Sequence, residues 1–255
     1  MRTLPLLLAL ALVAPTSPVA AQGAMARIPA GRYMPLYDRG EGEVRVAAFR
    51  VDRTPVTRGE YLAFVKANPQ WRRGAVKPVF ADAGYLADWA APLDAGRGAD
   101  LRRPVVNVSW FAAKAYCAAQ GKRLPTVDEW EYVAAAGEKV ADASRDPMHA
   151  QRVLELTTRS RPRPLPEVGH LPANHHGVRD LHGLVWEWTR DFNSVMVADD
   201  SRATAARDIK LNCASGAVGA TNVRDYAAFL RYAFRAGLEA RSTQGTLGFR
   251  CAASA

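Results

Sequence analysis

The sequence predicts a mixed helix-and-strand domain of short elements, on three observations. Brief alternating apolar segments lie near the start, two helix-capping boxes lie further along, and glycine and proline punctuate the chain from Pro164 onward. Of its 255 residues, 49% are hydrophobic. No Gly/Ser linker, repeat or low-complexity tract divides it, so one domain with one large core is the simpler reading.

Residues 1–21 have the layout of a secretory signal peptide: Arg2, the apolar run Leu4 to Ala14, Pro15 and Pro18, then small residues through Val19-Ala20-Ala21. Cleavage is expected after Ala21, leaving a single domain over 22–255. The apolar run is about half the ~20 residues a spanning helix needs, so no membrane span is expected after cleavage. No cysteine lies nearby for lipid attachment and no arginine pair precedes the run. Ordinary Sec export to the periplasm or beyond is the expected route.

Short strands are expected between Ile28 and Phe49, including Val44-Arg45-Val46, with a turn at Arg39-Gly40-Glu41-Gly42. Next, Thr57-Arg58-Gly59-Glu60 forms a capping box: the Thr57 hydroxyl can accept from the Glu60 amide while the Glu60 carboxylate reaches back. Tyr61, Phe64 and Val65 follow at helical spacing, and Pro69 ends that helix. A second helix opens at Ser109, runs through an alanine-rich stretch and stops at Gly121. Thr126-Val127-Asp128-Glu129 caps a third, with Trp130, Val133 and Ala134 on one face and Gly137 as its terminator. Val185-Trp186-Glu187-Trp188-Thr189 reads as a strand with both tryptophans on one side. Over Asp225 to Arg235, Tyr226, Phe229, Leu230 and Ala233 have helical spacing, yet the resemblance described below implies extended or irregular chain; the two readings stay open.

The net charge of +9 comes from scattered arginines, and with export a nucleic-acid partner is not expected. Arg159, Arg161 and Arg163, interleaved with prolines, read as a solvated loop, with a docking patch for an acidic partner as the alternative. Three cysteines in an exported chain allow one disulfide and leave one thiol. Four of the five histidines fall between His170 and His182, but without metal-ligand spacing, and they read as surface or turn residues.

Several segments occur together in a telling order. They are Ile28-Pro29-Ala30-Gly31, Pro55-Val56-Thr57 with Glu60-Tyr61 and Phe64, Pro104 through Trp110, and Ala115-Tyr116-Cys117. Then come Gly121-Lys122-Arg123-Leu124-Pro125-Thr126, Glu129-Trp130-Glu131, Asn174, Gly177, Asp180-Leu181-His182-Gly183, Trp186-Glu187-Trp188-Thr189 and Leu247-Gly248-Phe249-Arg250-Cys251-Ala252. In this combination the chain resembles the formylglycine-generating enzyme, or sulfatase-modifying factor, family over nearly all of residues 22–255. The resemblance implies an irregular α+β fold related to C-type lectins, low in regular secondary structure. The implied activity is copper-dependent oxidation, by oxygen, of a cysteine in a sulfatase peptide to formylglycine. Among the branches, the chain looks most like an exported one associated with copper nitrite reductase.

The resemblance implies further particulars. Cys117 and Cys251 match family cysteines that pair in a disulfide. Asp180, Gly183, Val185 and Glu187 match a family calcium site, with Glu187 pairing with an arginine as the alternative. A second family calcium site lies in a segment that is deleted here, between Gly137 and Pro166. The active enzymes hold copper(I) between two nearby cysteines, and at the matching distance before Leu247 this chain has Asn222 and Ala227, which cannot replace soft thiolates. Cys213 is the one remaining thiol, read either as a small buried hydrophobe or as a lone metal ligand or redox thiol.

The favoured functional expectation is therefore a non-catalytic periplasmic binding or maturation factor for a protein or peptide partner, such as a copper enzyme. The alternatives are an oxidase with an altered copper site built on Cys213, alone or with His182, and a lectin-like ligand binder. The iron-binding helical domain of the related sulfoxide synthases has no room in this chain.

Overall fold

The computed structural model describes residues 24–35, 42–193 and 223–255. The early strands form as β1 (Met25–Ile28), β2 (Gly31–Tyr33), β3 (Val44–Val46) and β4 (Phe49–Asp52). β2 and β3 pair antiparallel, and the residues of the expected turn before Gly42 lie outside the described residues. β1 pairs antiparallel with β4, which pairs antiparallel with β7 (Ala252–Ser254), so the two ends of the domain share one sheet. Alternation sets the faces: along β1, Ala26 and Ile28 are buried while Arg27 faces water.

Both capping boxes close. At α1 (Arg58–Ala67), the Glu60 amide donates to Thr57 Oγ1 at 3.2 Å and the Thr57 amide donates to the Glu60 carboxylate at 2.8 Å. At α3 (Val127–Ala134), Thr126 and Glu129 make the same exchange. This helix stops before Gly137, because the Gly137 amide donates to Val140 O in the following turn. Between them, α2 (Trp110–Ala119) is capped by Ser109, and Gly121 takes the left-handed φ of +66° that ends it.

Two helices settle or extend the sequence reading. α4 (Pro147–Thr158), not anticipated, begins with Asp146 as N-cap and Pro147 in its first turn, and occupies part of the segment between Gly137 and Pro166. Val223–Ala236 is helical, α5, so apolar spacing prevails over the irregular chain the resemblance implied. The expected tryptophan strand is only two residues long: β5 (Trp186–Glu187) pairs parallel with β6 (Leu247–Gly248). Trp188 lies fully buried just beyond it and donates from its indole to Val108 O.

The main core is aromatic. Tyr61 of α1 packs within 5.3 to 6.3 Å of the rings of Phe64, Tyr116, Phe249 and Trp89, and its hydroxyl meets that of Tyr85 at 2.7 Å. Each such ring contributes about 2 to 3 kcal/mol by leaving water. The motif segments are mostly braces around this core. Lys122 reaches the buried Asp52 at 2.7 Å, and Arg123 grips Glu129 with two bonds of 2.6 Å. Gly248 is required because a Cβ there would lie 2.6 Å from Val105 O. Among the described residues no helix is long and apolar enough to cross a membrane.

Candidate functional site

One wall of α5 gathers the groups of chemical interest. Ala227, Arg231 and Arg235 recur every four residues along α5, and the two arginines turn toward α3 and the strand β5. Arg231 and Arg235 are buried, and both close on the buried Glu131 of α3, at 2.6 Å and 2.8 Å. Their guanidinium groups lie over the Trp130 ring, 5.5 and 4.9 Å from its centroid. Burial pushes the Glu131 carboxyl up, but the charges and hydrogen bonds of the two arginines outweigh it and hold the group down at about 2.

Beneath lies a second buried ion pair. Arg250 Nη2 meets Glu187 Oε1 at 2.7 Å with both side chains fully inaccessible, and Trp130 Nε1 donates to Glu187 Oε2 at 2.8 Å. Arg250 also donates to the carbonyls of Asp52, Arg53 and Arg179, tying four segments together. Asp180, in a left-handed conformation with φ of +59°, accepts from the amides of Gly169 and Leu171, and burial pushes its carboxyl up.

His182 sits between these layers and α4. Its Nε2 donates to Ala134 O at 3.3 Å, while Nδ1 is shut off from solvent and has no hydrogen-bond partner among the described residues. Burial, then the charge of Arg231, push its pKa down to about 3, so the ring is neutral at neutral pH. The other histidines do not converge: His175 and His176 contact each other edge to face, and among the described residues no three potential ligands surround a metal position.

A family description, sulfatase-modifying factor enzyme 1-like domain, matches residues 11–255. The chain belongs to this family. It is 29% identical to the bovine (Bos taurus) protein named inactive C-alpha-formylglycine-generating enzyme 2, over 91% of this chain and 88% of that one. It is 32% identical to the formylglycine-generating enzyme of Streptomyces coelicolor, over 89% of this chain and 88% of that one. In structure it is similar to CarF, with a TM-score of 0.50 and 15% identity, over 92% of this chain and 99% of that chain. The α+β fold of the sulfatase-modifying factor family is thus the fold of this chain.

Cys117 and Cys251 are joined in a disulfide that ties α2 to the sheet across 134 residues. Closing so long a loop contributes roughly 4 to 5 kcal/mol in the chain-entropy view. Of three cysteines, two are thereby consumed. Cys213, like Asn222, lies outside the described residues. Ala227 is buried inside α5 and offers a methyl group. A copper(I) ion held by two thiolates does not fit this donor set. At the positions matched to calcium, Glu187 pairs with Arg250, and both its carboxylate oxygens receive donors from Arg250 or Trp130.

Sequence reasoning missed Arg231, Arg235 and Glu131. The signal available was the four-residue recurrence of two arginines on an otherwise apolar helix face, which becomes visible only once Asp225 to Arg235 is read as helix.

Proposed function

We propose that this sulfatase-modifying factor family member is a non-catalytic binding or maturation factor, acting after export to the periplasm on a protein or peptide partner. A copper enzyme such as nitrite reductase is the partner class in view. One observation carries the reading: where the resemblance calls for a metal-binding thiol, Ala227 presents a buried methyl group on a helix, in a chain with one thiol outside its disulfide. A family relative named as inactive, at 29% identity, is consistent with loss of chemistry on this scaffold.

The test is oxygen uptake by the purified, copper-supplied protein with a cysteine-containing sulfatase-type peptide. No turnover, with peptide or partner binding retained, is the expected result. Oxygen consumption coupled to formylglycine formation would establish instead the altered-site oxidase, and its loss in Cys213→Ala would assign the thiol. Calcium at Asp180, Gly183, Val185 and Glu187 enters this reading only by displacing Arg250 from Glu187, and a calcium-dependent rise in Tm is its check.

A further inference from the structure

A small chamber opens between α5, the Trp130 ring and the segment Leu181 to Trp186, with about 20 Å³ of space. That is room for roughly one or two water-sized groups. Three arginines line it, Arg161, Arg231 and Arg235. Glu131 is one carboxylate for two of them, and the Glu187 carboxylate on the wall is taken up by Arg250. Arg161 pairs with no carboxylate among the described residues: its guanidinium lies over the Trp186 ring at 5.0 Å and its Nε donates to Leu184 O. The chamber therefore carries positive charge in excess.

Two of its polar atoms are also unpartnered. Arg231 is nine-tenths buried, yet among the described residues its Nη1 has no acceptor and His182 Nδ1 has no partner. A guanidinium donor left bare in a low-dielectric space is costly, by an amount a neutral wall would avoid. A flat, two-oxygen anion matches guanidinium geometry best.

We propose that this chamber is an anion site that takes one carboxylate group, with Arg231 and Arg161 as its donors and His182 at its back. Nothing in this inference depends on whether the chain is catalytic. The carboxylate would come either from a small free acid or from an acidic side chain of a bound partner, and the chemistry is the same. His182 stands beside Arg231 of α5 and packs edge to face against the Trp130 ring of α3.

The experiment is calorimetric titration of the purified protein, at fixed ionic strength, with acetate and separately with a short peptide carrying one aspartate. Saturable binding of either probe is expected, with the dissociation constant raised about tenfold or more in Arg231→Gln and in Arg161→Gln. Nitrogen resonances of the His182 ring should move on binding. Acetate binding identifies a free small acid as sufficient; binding of the peptide alone identifies the partner's side chain. If Arg231→Gln fails to fold, Arg161→Gln carries the test, since among the described residues that side chain holds no ion pair. Absence of saturable binding by both probes, or affinity unchanged in Arg161→Gln, overturns the proposal.

Discussion

Trp130 separates two buried clusters that use the same side chains in opposite ways. On one side, Arg250 and Glu187 form a one-to-one pair whose guanidinium donates to both carboxylate oxygens and three backbone carbonyls, leaving nothing unpaired. On the other, Arg231 and Arg235 share Glu131, and one guanidinium nitrogen of Arg231 has no partner among the described residues. A balanced buried pair works as a brace, and its partners are fixed by the fold. An unbalanced one leaves a donor that no described residue satisfies. The Leu247-Gly248-Phe249-Arg250-Cys251 segment belongs to the first kind, and the α5 face to the second.

Arg250→Met breaks the balanced side and has the largest expected effect. It strands the Glu187 carboxylate in the core, at a cost of about 3 to 5 kcal/mol, read as a lower urea midpoint or loss of folding. The same change at Arg235 should cost less, because Glu131 keeps Arg231; equal losses would collapse the distinction between the clusters. Next in size is acid. The Glu131 carboxyl sits at about 2 in the folded chain against an ordinary value of 4.5. Its stabilisation, about 3 kcal/mol, is therefore complete above pH 4.5 and lost as pH falls toward 2. Glu131→Gln should flatten the pH dependence of stability across that window, and an unchanged slope would show the two arginines do not act on it as described. Smallest is Thr126→Ala, which removes a cap on the helix carrying Trp130 and Glu131 for about 1 kcal/mol, measured by chemical denaturation.

The sequence made some of this legible and hid the rest for physical reasons. The capping boxes at Thr57 and Thr126 are local, since each bond spans three residues, and both formed. The Cys117–Cys251 pairing came through family resemblance. The charged clusters were illegible because their partners are distant in the chain: Arg231 lies 100 residues from Glu131, and Arg250 lies 63 from Glu187. α4 escaped because Asp146-Pro147 opens it without the glutamate that marks a capping box. The candidate site was half visible: Asn222, Ala227 and Cys213 were named from what they cannot ligate, whereas the arginines beside Ala227 needed the helix to be drawn first.

The central claim is that the chain cannot present two thiolates to one metal ion. Thiol counting on the denatured protein, before and after reduction, combined with Cu(I) titration against a competing chelator, tests it most directly. One free thiol before reduction, three after, and no tight one-to-one copper complex in the native protein are expected. Three free thiols before reduction, or a tight copper complex abolished by Cys213→Ala, would contradict it.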